Sequence, residues 1–593
     1  MTETSKQPKV WYKRKRFWSF VIFMLLIYFC LVPSRLRISP ETTGITEPLT
    51  ADGRVDYFAA FEKTYIDKLS PPEENGQRLL IAAFGPRILE QLALMNTVPW
   101  EEMPTHELSK NWFNNDWIPL CEHLYIDPYK KPMFYGKRGF FSYMEKYFKE
   151  QKKESGEVVN DKSISDDCKP LFDKLTAAPW NKEDYSEVGK WLDEYSEALD
   201  YVGMCMRKPN LACWRKNADY LMAILLPDVQ ASRDFVRSLQ VRINERIGRG
   251  DIEGAWYDIM TLKYHARHYV NDSLIVTNLV GMVANSYAAI STKLLLIHCK
   301  PNEEQLAKFV SDLNNLPSFN PTALNWELEE LFTFQTVQSF KYRDYSSNLI
   351  ENNSFKEDIL LYLISLLPYD SNIAGQRLTE LYNESGLKDS KLIVASNPIL
   401  RRQYADKFEK SMQLIEDKLH SKLLPQLFRL PLIRTRSKLL AELIFDDLIP
   451  AVMQASIAFD RHDAQNEMQR IAIALERYKF ANGKYPDKLD DLVPKYLNIT
   501  PIDPFTGRST FVYKLRETTK ETIPETKQPA TESVTKIIAE TTPAEITSTE
   551  ELPKPLELPY ILYSLGPNGK DDNGTLPPVS RPSPGVLDYD IVF

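Results

Sequence analysis

The sequence predicts a mainly α-helical protein: a single N-terminal transmembrane helix, a large helical body, with helical-hairpin repeats as one architecture for it, and a small α+β domain at the end. Three observations predict this. An uncharged apolar run stands directly behind a basic tail. From residue 55 to about 435, apolar residues recur at three- and four-residue steps. Short alternating runs bounded by Asp-Pro and Asn-Gly turns gather near the end.

The basic tail is residues 1–16, and the apolar run, "FWSFVIFMLLIYFCLV", is residues 17–32. As a helix that run spans roughly 24 Å, and Trp11, Tyr12 and Trp18 lengthen it with interfacial aromatics. The following "YFCLVPS" lacks the small-x-small pattern of a signal-peptidase site, so an uncleaved anchor is expected. Lys13, Arg14, Lys15 and Arg16 hold the tail in the cytoplasm, which puts the bulk outside the inner membrane, in the periplasm. Charge agrees with this division. Residues 1–37 hold eight Lys or Arg against Glu3, whereas the whole chain carries 73 basic and 81 acidic residues. A body that acidic lacks the clustered cations that nucleic acid requires, so no nucleic-acid partner is expected.

Residues 33–54, "PSRLRISPETTGITEPLTADGR", have the Pro, Thr and Gly content of a linker. Residues 55–435 then read as a helical domain, in segments such as "VDYFAAFEKTYIDKL" and "EVGKWLDEYSEALDYVGMCM". A polar stretch near 150–168 reads as a loop. In "LQVRINERIGRGDIEGAWYDIMTLKYHARHYV" one helix ends at Gly248-Arg249-Gly250 and Asp251 caps the next. That is the pattern of a packed helical hairpin, although no second copy recurs at a fixed period.

From about Lys438 a long helix runs past Pro450, a site for a kink, and stops at Asn482-Gly483 before Pro486. "DKLDDLVPKYL" reads as a short helix, and "STFVYKL" and "LPYILYSLG" as strands. Between those strands, residues 516–557 are rich in Thr, Glu and Pro and cannot bury enough to fold, so a disordered insert within a hairpin is expected.

Four pieces in this order, "ALERYKFANGKYPDKLDDLVPKYL", "IDPFTGR", "YSLGPNGKDDNG" and "DYDIVF", resemble the C-terminal domain of the major pseudopilin of type II secretion systems. The resembling region is roughly residues 445–593 without the insert, within an expected domain of residues 436–593. The whole arrangement resembles large anchored proteins of Planctomycetes-like bacteria that append such a module to a helical body. One departure matters: the helix corresponding to the filament helix lies far inside the chain and carries Asp446 and Asp447 in its apolar stretch. Charges there oppose membrane insertion, at ~3 kcal/mol each, so neither prepilin-type cleavage nor a place in a filament is expected.

The resemblance implies a structural Ca²⁺ in the terminal loop. Its ligands would be the Leu565 carbonyl, Asn568 (where the family often has an acid), Asp571, Asp572 and, from the terminal "DI", Asp590. Read from the residues alone, the same loop is a tight polar turn built from Asn-Gly steps. His265 and His268, with Asp258 and Asp272 a turn or two away, read as a half-exposed helical face, and His462-Asp463 as a helix-surface pair. Cys205 and Cys213 flank the turn "RKPN" and are either a disulfide or two free thiols. Phosphate loops, nucleophile elbows and dinucleotide fingerprints are lacking. The expected function is a non-enzymatic, membrane-anchored envelope protein acting in protein–protein interaction or assembly. The alternative is an envelope enzyme with its site in residues 55–435.

Overall fold

The computed structural model describes residues 17–22, 35–85, 100–105, 113–155, 161–212, 227–317, 326–342, 369–385, parts of 403–417, 432–516, 557–574 and 591–593, apart from single positions 65, 70, 273 and 508. These residues are mainly helical, with one small antiparallel sheet. In chain order the elements used below are α1 (Pro40–Thr43), α2 (Tyr57–Glu62), α3 (Gly76–Phe84), α4 (Ile118–His123), α5 (Phe140–Glu154), α6 (Asp161–Ala177), α7 (Ser186–Met206), α8 (Pro227–Gly248) and α9 (Ile252–Val270). They continue with α10 (Ile275–Cys299), α11 (Glu303–Asn314), α12 (Trp326–Tyr342), α13 (Ser371–Ser385), α14 (Ile433–Asn482), β1 (Val512–Leu515), β2 (Tyr560–Ser564) and β3 (Ile591–Val592).

The α8–α9 hairpin forms as its residues dictate. Gly250 takes φ +77° and the Asp251 carboxylate accepts the Gly254 N–H at 2.9 Å, so the chain reverses and α9 starts capped. Trp256, on the next turn, stacks on Phe309 of α11 with centroids 3.9 Å apart and donates its indole N–H to Asp312 at 2.8 Å. Helix α9 packs most extensively on α10, which in turn packs on α14. Helix α10 is long and apolar enough to cross a membrane by length and composition, yet 61% of that window is buried within the protein. Its buried Asn278, Asn285 and Thr292 are hydrogen-bonded to neighbouring helices or backbone, which is the behaviour of a core helix.

Two stretches expected as irregular are ordered. Most of 150–168 lies in α5 and α6, whose Phe140, Phe141 and Phe172 rings pack together, so tertiary contact overrides the polar composition. The expected linker is folded against the body. The Arg35 carbonyl accepts Asn372 Nδ2 at 2.8 Å, Arg37 N–H donates to Asn372 Oδ1 at 2.7 Å, and Thr379 donates to the Glu41 carbonyl at 3.0 Å. A Cβ at Gly375 would collide with the Thr42 carbonyl, so a glycine is needed for α1 to sit this close to α13.

Helix α14 runs for 50 residues, continues through Pro450 and ends at Gly483 with φ +74°, whose N–H bonds the Lys479 carbonyl. The stretch expected as a helix after it, 487–497, holds only one turn of 3₁₀ helix, Leu489–Leu492. β1 pairs antiparallel with β2 in the register Val512↔Tyr563 to Leu515↔Tyr560, and β3 adds to the other edge of β2. The hairpin that should enclose the insert therefore exists; residues 517–556 themselves lie outside the described residues. One continuous apolar core runs from Val55 and Trp191 through Trp256 and Phe309 to Leu475, Leu562 and Phe593, so helical body and sheet share it.

Candidate functional site

The terminal loop hangs from a single buried carboxylate. Asp503, in the "IDPFTG" turn, accepts the Phe505 N–H at 3.0 Å and the Ser564 hydroxyl at 2.9 Å on Oδ1, and the Leu565 N–H at 3.0 Å on Oδ2. It thereby ties that turn to the end of β2. Burial raises its pKa, and the three donors oppose the shift by stabilising the anion. Sequence reasoning noticed the Asp-Pro turn but assigned Asp503 no role.

Beyond Leu565 the chain turns through Gly566, Gly569 and Gly574, all at positive φ, with Asn573 at +60°. The five expected ligands do not all converge. Asn568 Nδ2 donates to Asp572 Oδ2 at 3.0 Å, and Asn568 Oδ1 accepts the Lys570 N–H at 2.9 Å. Asp571 points elsewhere: it accepts the Tyr563 hydroxyl at 2.7 Å and the Asn573 N–H at 2.9 Å, with Lys514 Nζ at 3.6 Å. Those donors, the Tyr563 hydroxyl first, lower its pKa. Asp590 lies outside the described residues. Among the described residues no group of three or more His, Cys, Asp and Glu is placed to hold a metal ion. Asn568 and Asp572 are therefore bonded to each other, with the Asn568 amide N–H rather than its oxygen facing Asp572, while Asp571 already has a neighbouring ammonium.

The histidine motif is placed differently from its reading as a half-exposed face. His265 is 1% exposed, and its ring stacks on Tyr269 with centroids 4.2 Å apart. Burial, with His268 adding to it, pushes its pKa down to about 3, so the ring is neutral at physiological pH. His268 Nε2 lies 2.9 Å from the Met206 carbonyl. Asp258 is fully buried and binds Arg242 through two oxygens, at 2.6 and 2.8 Å, while Arg246 reaches it at 2.9 Å. His462, expected on a helix surface, is buried too. These polar residues sit at helix–helix crossings, which a single helix's periodicity does not reveal.

The crossing of α9, α10 and α14 carries a polar ladder. Lys263 Nζ donates to Asn285 Oδ1 and Asn466 Oδ1, both at 2.8 Å, and burial drives its pKa well below the usual lysine value. Ser286 donates to Gln465 at 2.8 Å, Gln469 donates to Thr292 at 2.6 Å, and Arg470 reaches Asn314 at 3.1 Å. Arg477 adds a fork onto Glu303 at 2.7 and 2.9 Å. An open cleft of about 320 Å³ lies beside the Arg242 pair, lined by Lys182, Ser196, Arg242, Glu245, Arg246 and Arg249. Lys182, Arg242, Arg246 and Arg249 are each matched to an acid, Asp193, Asp258, Asp200 and Asp251 among them. Cys205 is a buried free thiol whose pKa burial raises to about 12; Cys213 lies outside the described residues.

No family model, curated protein or solved structure matches the chain. The fold itself defines only a class: a mainly helical protein whose longest helix is built into its body and carries a small antiparallel sheet at its far end.

Proposed function

We propose that the protein is a membrane-anchored, non-enzymatic scaffold of the bacterial envelope, periplasmic in bulk, whose pseudopilin-like end acts in protein–protein interaction beside a type II secretion or pilus-like apparatus. The observation that carries this reading is the polar ladder on α14. The helix that a pseudopilin would pack into a filament is here committed to the body, while Lys570, Asp571 and Asn573 of the terminal loop stay exposed. A scaffold that presents its sheet end and keeps its helix to itself has this division. Residues 17–22 are helical with Trp18, Phe20 and Ile22 exposed, which suits the start of an anchor.

The test is site-specific photo-crosslinking in living cells from position 570. A discrete adduct with another envelope protein, lost when the probe moves to buried Ser564, is the expected result. Absence of any adduct from 568, 570 and 573 alike would sink the interaction reading.

A structural Ca²⁺ belongs to the same proposal, held by the Leu565 carbonyl, Asn568, Asp572 and Asp590, with Asp571 available only if it leaves Tyr563. Bound calcium at ~100 Kd adds roughly 2.7 kcal/mol of stability. The full chain should then melt higher in calcium than in chelator, and Asp572→Ala should erase most of that difference. Identical melting curves in both would remove the metal.

A further inference from the structure

The apolar run ends at Val32, and Pro33 and Ser34 alone separate it from Arg35. Three residue steps reach at most roughly 10 Å. A flexible linker over the whole of 33–54 would instead extend to roughly 70 Å and leave the body free to tumble. That freedom is removed at Arg35, whose carbonyl is already bonded to Asn372, and two residues later Arg37 bonds the same side chain. The strap then runs along α13, with Thr379 on the Glu41 carbonyl and Tyr57 on the Thr43 carbonyl.

The start of α14 lies at the same place. The Asp370 N–H donates to Ser437 Oγ at 2.7 Å, and Arg377 of α13 donates to Glu442 at 2.9 Å. One turn before Ser437 the chain exposes Leu432, at 48%, and Arg434. Arg35 and Arg37 are exposed as well; Glu41 on α1 is the acid nearest to them in sequence. Among the described residues, Asp370 and Glu442 are buried and bonded inward, while exposed Glu380 and Glu384 lie further along α13 and pair with Arg377. Three outward guanidinium groups and an exposed leucine therefore gather where the chain leaves the apolar run.

We infer that this face, formed by Arg35, Arg37, the start of α13 and Leu432–Arg434, lies against the phospholipid headgroups of the membrane that holds the N-terminal helix. The inference rests on the anchor proposed above, and it adds that the body is seated on the bilayer in one orientation. Charge and chemistry fit that occupant. Guanidinium groups pair with lipid phosphates, and a leucine at the same level reaches the acyl boundary.

The test uses the full chain reconstituted into phosphatidylethanolamine vesicles with and without phosphatidylglycerol. A photoreactive residue replaces Leu432 in one sample and, as reference, Phe480, exposed near the other end of α14, in another. The expected result is a protein that resists carbonate extraction, with lipid adducts at position 432 and few at 480. In phosphatidylglycerol vesicles, Arg35→Glu, Arg37→Glu and Arg434→Glu should lower adduct yield, by up to about fivefold per arginine. These side chains point outward, so the fold should persist. An integral protein labelled no more at 432 than at 480 would overturn the seating and leave the anchor standing. A protein that washes off in carbonate would overturn both.

Discussion

Asp503 shows how one side chain can hold a loop without entering its chemistry. Its carboxylate receives two backbone N–H groups and a hydroxyl, two of these bonds buried and that of Leu565 partly so, and Asp503→Ala leaves those donors without an acceptor. Orphaned buried donors cost 1–3 kcal/mol apiece, so a loss of about 3 kcal/mol is expected. Asp572→Ala, on a partly exposed loop, should cost under about 0.5 kcal/mol in chelator. Urea titration of the detergent-solubilised chain separates the two, and equal losses would contradict the role given to Asp503. Glu329 supplies a pH dependence. Burial raises its pKa to about 7, against a single opposing hydrogen bond from the Ile275 N–H. A carboxyl whose folded pKa lies above its unfolded value binds a proton more tightly when folded. Its contribution is full below the usual glutamate pKa and is lost as pH rises through about 7. The wild-type melting temperature should therefore drop across that window more steeply than that of Glu329→Gln. Parallel curves would mean that Glu329 is ionised in the folded protein.

Between α10 and α14 the polar ladder does what apolar packing alone does poorly: it fixes which turn of one helix faces which turn of the other. Thr292→Val should leave the buried Gln469 amide without its acceptor, at a cost of 1–3 kcal/mol. Replacing both, Thr292→Val with Gln469→Leu, removes donor and acceptor together and should recover most of the loss. A double variant as unstable as the sum of the singles would show that the two side chains do not act as a pair. The same ladder marks where the sequence could be read and where it could not. Caps and turns were legible, because Gly483 and the Asp251 N-cap announce themselves through local chemistry. The β1–β2 hairpin was legible across a long insert, because alternation and turn residues survive on either side. Asp258, His265 and His462 were not, since a charged or polar residue on a helix reads as solvent-facing until a second helix supplies its partner or its cover. Residues 35–54, 150–154 and 161–168 were misread for a related reason: composition reports what a segment can do alone, and tertiary contact decided otherwise. In the candidate site, Asn568 donates to Asp572 and Asp571 is claimed by Tyr563 and Lys514, contacts that no spacing rule encodes.

Taken as a whole molecule, the chain divides by sequence at 435/436 and does not divide there in its core. Helix α14 begins at Ile433, close to that boundary, but Leu440, Ala441 and Phe445 are buried near its start, and Phe445 meets Tyr382 of α13 edge-on with centroids 5.2 Å apart. Further along, Met468, Ile471 and Leu475 are fully buried, on the stretch whose Asn466, Gln469 and Arg470 bond residues of the body. The sheet is tied in as well: Lys293 of α10 donates to the Phe593 backbone oxygen at 2.7 Å. A fragment of residues 433–593 would expose several of these side chains, each worth about 1.5–3 kcal/mol of burial, against a domain stability of roughly 5–15 kcal/mol. It should therefore fail to hold the native length of α14. The first half of that helix, which the sheet does not support, should be lost, while the half leading into Gly483 keeps β2 and β3 as its partners. Limited proteolysis reads this directly: the fragment should be cut between about 433 and 460 under conditions where the full chain resists cleavage there. Circular dichroism should show a matching deficit of helix. A fragment that resists cleavage across α14 and melts cooperatively near the full chain's temperature would show that the shared core is dispensable and that the module is an independent domain after all.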